Sequence, residues 1–82
     1  MITLESIPTG NELQVKLHIL PYDLKNRVLV DTWIYMMQQF IISKYDGVKI
    51  FISETSYHQL TEMLLVFTNI EDSIEFKLSL NS

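Results

Sequence analysis

The chain has 82 residues, 48% of them hydrophobic, with eight Phe and Tyr, one Trp and only two Gly and two Pro, which fits one small domain with a core and argues against disorder. Ten acids against six scattered bases give a net charge of −4, which disfavours a groove that tracks nucleic-acid phosphates and is too sparse in acids for a mimic of DNA. There is no cysteine, so disulfides and thiolate metal sites are excluded and a reducing cytosol is expected.

Glu12 to Ile19 alternates, with Leu13, Val15, Leu17 and Ile19 on one face and Gln14, Lys16 and His18 on the other, the pattern of a half-buried strand. Pro8-Thr9-Gly10-Asn11 before it is turn chemistry, so Ile2, Leu4 and Ile7 are expected on the first arm of a hairpin. Pro21 ends the strand, and Asp23 or Asn26 is placed to cap a helix. From about Asn26 to Ser43 the period turns helical. Leu29, Val30, Trp33, Ile34, Met36, Met37, Phe40 and Ile41 fill one arc, which predicts Trp33 and Phe40 buried at its centre and Val30, Ile34 and Ile41 at its margin. Val28 and Ile42 fall beyond the arc. Asp46-Gly47 turns the chain into a strand over Val48 to Ser53, with Val48, Ile50 and Ile52 inward and Phe51 outward. Glu54 to Thr61 reads as a polar loop, and Met63 to Thr68, apolar on both faces, as a central strand or one covered on both sides. No apolar run approaches the ~18 to 20 residues of a membrane span, and the start Met-Ile-Thr-Leu-Glu-Ser-Ile-Pro lacks the basic region and long apolar core of a signal peptide.

The tail Asn69-Ile70-Glu71-Asp72-Ser73-Ile74-Glu75-Phe76-Lys77-Leu78-Ser79-Leu80 fits a hairpin strand and a helix equally by period, although Asn69 as cap with two acids in the first turn suits the helix. The order of a strand ending at Thr68, an acidic cap and a closing Phe76-Lys77-Leu78 resembles the C-terminal end of small accessory proteins of T4-like phages. The resemblance covers residues 63–82, and it departs from the pattern in having Ser73 where alanine is common and Leu80 in place of a terminal aromatic. It implies a helix for the tail. It also implies a non-enzymatic early gene product of the host cytoplasm that binds one host or phage protein and inhibits, redirects or times it. Blocking a host enzyme, countering a defence system and delaying lysis are roles of that class. The expected architecture is therefore α+β: a small single-domain sandwich in the order (β)-β-α-β-β-α, with an antiparallel or mixed sheet of three to four strands and helices on one face.

Chemistry is poorly served by these residues. His58 and Glu62 are four apart, as metal ligands on one helix face would be, but a second such His and a third ligand are missing, and a solvated loop is the simpler reading. His18 alternates with Gln14 and Lys16 and is expected to be exposed. Gly10 and Gly47 are isolated, the serines have no nucleophile-elbow context, and Glu71-Asp72 is a charged helix start. The expectation is no catalysis, no metal and no cofactor. The apolar surplus points instead to a partner surface. Phe51 on the outer sheet face, Ile34 and Ile41 on the helix margin and Tyr57 in the polar loop are the candidate anchors. The expected partner is a host or phage protein, with a homodimer as a further form and no nucleic acid or membrane insertion. A self-assembling structural or scaffold piece is the alternative.

Overall fold

The computed structural model describes residues 2–21, 27–55 and 60–80. Its elements in chain order are β1 (Ile2–Ile7), β2 (Gln14–Pro21), α1 (Arg27–Lys44), β3 (Lys49–Thr55), β4 (Leu60–Val66) and α2 (Ile70–Leu80). The fold is α+β in the expected β-β-α-β-β-α order, and the tail is helical. The caps expected from Asp23 or Asn26 lie outside the described residues, as do Tyr57 and His58.

The sheet has four strands in the order β1-β2-β4-β3, every neighbouring pair antiparallel. The hairpin β1–β2 turns on residues that supply their own partners. Asn11 N–H donates to Thr9 Oγ1 at 3.1 Å, Leu13 N–H to Asn11 Oδ1 at 2.9 Å, and Gly10 takes φ +77°. β2 and β3, the strands joined through α1, do not lie side by side, because β4 sits between them. From Met63 to Val66 β4 is apolar on both faces, which suits a central position. The polar stretch Glu54 to Thr61 is not wholly a loop: β3 extends to Thr55 and β4 starts at Leu60. The ladder Ser53↔Glu62, Glu54↔Thr61 and Thr55↔Leu60 carries the pairing through these polar positions, and Thr61 is fully buried.

One parity of the strands forms the core face. Val15, Leu17 and Ile19 of β2 and Met63 and Leu65 of β4 are buried, joined by Ile34 and Ile41 of α1, Phe76 of α2, and Tyr45 and Phe67 just past the ends of α1 and β4. Both helices therefore cover the same face.

The rotation of α1 departs from expectation. Ile34 is 6% and Ile41 0% exposed, whereas Phe40 is 59% exposed and Met36 is also turned outward. Trp33 and Met37 are half-buried on the shoulder of the core. The side chains of Leu29 and Val30 lie outside those described. An apolar arc of eight positions is wider than a flat sheet can cover, so something must choose the stripe that faces down. Tyr45 does so. Ile34, Ile41 and Tyr45 are spaced i, i+7, i+11 and lie in phase on a helix, and Tyr45 N–H continues the ladder to the Ile41 carbonyl at 2.9 Å. With Tyr45 buried among aromatic rings, Phe40 rotates away.

α2 starts at a reciprocal cap. Asp72 N–H donates to Asn69 Oδ1 at 2.8 Å, and Asn69 Nδ2 donates to Asp72 Oδ2 at 3.1 Å. Its buried stripe is Ser73 and Phe76. The Ser73 hydroxyl donates to the Glu12 carbonyl at 2.7 Å, so a polar residue on the inner face ties α2 to the β1–β2 turn. At the same end, Gly47 has φ +73°, and a Cβ there would lie 2.8 Å from Thr68 Cγ2, while Thr68 Oγ1 donates to the Asp46 carbonyl at 3.1 Å. The turn before β3 and the turn after β4 are locked together.

Two outcomes follow for stability. Phe76→Ala is expected to cost about 3–5 kcal/mol, whereas Phe40→Ala costs about 1 kcal/mol or less; chemical denaturation of both variants measures the contrast. Gly10→Ala suffers only the left-handed backbone, about 1–2 kcal/mol, and Gly47→Ala loses more because its methyl also meets Thr68. Adding Thr68→Ser, which removes the opposing methyl and keeps the hydroxyl, restores part of the Gly47→Ala loss in thermal melts.

Candidate protein interface

Two surfaces remain outside the core, and they differ in chemistry. The first is the sheet face opposite the helices, on which no described element packs. Register brings Glu5, His18, Glu62 and Ser53 into one row across the four strands. His18 Nε2 and Glu62 Oε1 are 3.1 Å apart, Lys16 Nζ lies 3.3 Å from the same oxygen, and Ser53 Oγ donates to Glu62 Oε2 at 3.5 Å. His18 is thus half-buried and paired rather than exposed. Glu62 lies on a strand, so it cannot share a helix face with His58. The hydrogen bond from His18, followed by that from Lys16, holds the Glu62 carboxyl below the usual carboxylate range. Phe51, opposite Leu64 in the register, is 55% exposed beside this polar row, with Leu64 and Val66 half-buried on the same face.

The second surface is the outside of the helical layer. On α1, Met36 and Phe40 lie on one flank and Tyr35 and Ile42 on the other, all exposed. On α2, Ile70, Ile74 and Leu78 form an exposed stripe at i, i+4, i+8. The seam between the helices is closed by an ion pair, Lys44 Nζ to Glu75 Oε1 at 3.3 Å. Lys44 also stands 5.7 Å from the centre of the Phe40 ring and 5.5 Å from that of Tyr45. The Glu75 hydrogen bond, then the nearby Tyr45, pushes the Lys44 ammonium above its ordinary range, so it stays charged. Glu75 and Leu78 are three apart on α2, which places Leu78 next to the same seam. The result is an apolar strip with a fixed charge pair at its centre line.

Of the candidate anchors, Phe51 is exposed where it was expected. Ile34 and Ile41 are not at a helix margin; they are core residues, for the rotational reason given above, and a partner cannot reach them. Tyr57 is outside the described residues. Met36, Phe40 and Leu78 were not singled out as anchors by the sequence, although an apolar arc too wide for one sheet is itself the signal that some of it must face outward. A cleft of about 380 Å³ lies between the β1–β2 turn and α2, lined by Thr9, Asn11, Gln14 and Lys77 among others. Among the described residues no group of three metal-ligating side chains occurs, and no helix is long and apolar enough to cross a membrane. No protein-family model, curated protein or solved structure matches the chain.

The Glu62 cluster sets a pH dependence. A carboxyl held low when folded adds stability above its unfolded pKa and loses it as pH falls through the folded value. Wild type is therefore expected to lose stability more steeply than Glu62→Gln on acidification below about pH 4.3, and to be the more stable of the two at neutral pH. Urea midpoints of both proteins from neutral to acid pH check this, and parallel curves would show that the cluster adds nothing.

Proposed function

We propose that the chain is a non-enzymatic accessory protein that binds a host or phage protein through its helical layer and modulates it by covering a surface of that partner. The observation that carries this reading is α1. Among its exposed polar residues α1 also turns Tyr35, Met36, Phe40 and Ile42 outward, more large apolar surface than a helix covered on its sheet side alone ordinarily shows. Met36, Phe40 and Leu78 supply the apolar centre of such an interface. Lys44, Glu75 and Glu71 supply charges near it. The phage class and the cytoplasm of an infected cell rest on the likeness of the tail to accessory proteins of T4-like phages, and inhibition, defence evasion or lysis timing are the roles that class offers. A self-assembling structural piece is the second reading, favoured by the two sheet edges that remain open.

A Met36→Glu/Phe40→Glu pair changes only exposed positions, so it is expected to stay folded by circular dichroism and to lose its partner in an affinity pull-down from infected and uninfected cells. Phe51→Glu, on the far face, is expected to keep that partner. Retention by the helix pair and loss by Phe51→Glu would move the interface to the sheet. A defined large oligomer of the purified chain in size-exclusion chromatography would favour the structural reading.

A further inference from the structure

The edge strand β3 has a feature that neither the helical layer nor the polar row explains. Among the described residues it pairs with β4 on one side only, and alternate N–H and C=O groups of an edge strand point away from the sheet, where no described strand meets them. Its register with β4 runs without a break from Lys49 to Thr55, so there is no bulge to twist the edge away. It contains no proline or glycine. Ile52 lies on the helix-covered face and is nevertheless 39% exposed, so the helices stop short of this edge, while Phe51 on the other face is 55% exposed. The charges of this edge, Lys49 and Glu54, stand toward its ends, so its apolar middle, Ile50-Phe51-Ile52, is open to another strand.

We propose that the strand it accepts is β3 of a second copy, paired antiparallel about a two-fold axis at Phe51, so that two four-stranded sheets join into one. Charge selects this occupant and this direction. The chain carries −4 overall, which opposes self-association on most surfaces, but the β3 sequence holds one Lys and one Glu and is neutral. Antiparallel pairing about Phe51 sets Lys49 opposite Ser53 and keeps the two Lys49 positions about 14 Å apart, beyond the screening length of ~8–10 Å. The other edge is less suited: with Glu5 on the axis β1 sets two carboxylates directly opposite, with Leu4 on the axis it still holds them about 8 Å apart, and Pro8 follows the strand. A two-fold axis perpendicular to the sheet pairs only residues of like face. With Phe51 on the axis, Ile50 meets Ile52 and Phe51 meets Phe51, apolar against apolar. With Ile52 on the axis, Phe51 would meet Ser53. The seven-residue strand is about 24 Å long. This edge is separate from the helical layer and stands whether or not that layer binds a partner.

The chain has no cysteine, so single cysteines report contacts cleanly. Residues directly opposite across an antiparallel pair have Cα atoms about 4.5–5.5 Å apart, within disulfide reach. Under mild oxidation Phe51→Cys is expected to give a covalent dimer, with Ile52→Cys and the helical-layer control Phe40→Cys remaining uncrosslinked. Light scattering coupled to size exclusion is expected to show wild type as a dimer at micromolar concentration, and Phe51→Lys as a monomer with an unchanged circular dichroism spectrum. A monomeric wild type, a dimer that survives Phe51→Lys, or crosslinking through Phe40→Cys or Ile52→Cys in place of Phe51→Cys would each overturn the proposal.

Discussion

Three rings hold the two helices to the sheet. Tyr45 meets Phe67 edge-on with centroids 5.3 Å apart and Phe76 edge-on at 6.1 Å, while Phe67 and Phe76 are 5.7 Å apart at a tilt of 41°. Each residue comes from a different place: just past α1, just past β4, and the inner face of α2. Beyond the area they bury, such pairs contribute about 0.5–1.5 kcal/mol each. Their larger effect is geometric. Once Tyr45 is fixed, α1 can rotate no further, and its remaining apolar residues are sorted into those that face the sheet and those that face out. The exposure of Met36 and Phe40 is therefore a consequence of where Tyr45 is pinned, not a failure of the core to close.

The two outer faces follow opposite rules. On the sheet side, the central strands put Lys16, His18 and Glu62 where large apolar residues would otherwise stand, and the Lys16–Glu62 ion pair and the His18–Glu62 hydrogen bond keep that face compatible with water. On the helix side, charge is scarce among the exposed positions of α1, and the Lys44–Glu75 pair is spent on joining the helices. A protein that left both faces apolar would aggregate; one that charged both would have little to offer a partner. This chain separates the two properties by layer.

How much of this was legible beforehand depended on whether a local pattern determined the outcome. The alternation of Val15, Leu17 and Ile19, the Thr9-Gly10-Asn11 turn and the Asn69 cap are local, and each is found where the sequence put it. The apolar character of Met63 to Val66 marked β4 as central. Strand order was not readable, since β4 inserting between β2 and β3 is decided by pairings between residues far apart in the chain. The His18–Glu62 contact shares that fate: without register nothing links two polar residues 44 positions apart. The rotation of α1 was missed for a different reason. Eight apolar positions on one helix fix the presence of a buried stripe but not its centre, and the residue that fixes the centre, Tyr45, lies past the end of the helical pattern. Centred on the arc alone, Ile34 and Ile41 fall at its margin; in the fold they are the middle of the buried stripe.

The chain is two β-β-α units in series, β1-β2-α1 and β3-β4-α2, set so that the inner strands β2 and β4 adjoin and the first strands lie at the two rims. Within each unit the contacts are short-range. Between them, β2 pairs with β4 only after the intervening chain has closed into a loop. Much of the entropy of ordering the molecule thus falls on one event, the docking of the two units, which brings together the β2–β4 pair and the Tyr45, Phe67 and Phe76 rings. That seam is expected to set how fast the protein assembles, so substitutions along β2 and β4 should slow folding more than substitutions of equal cost at the rims.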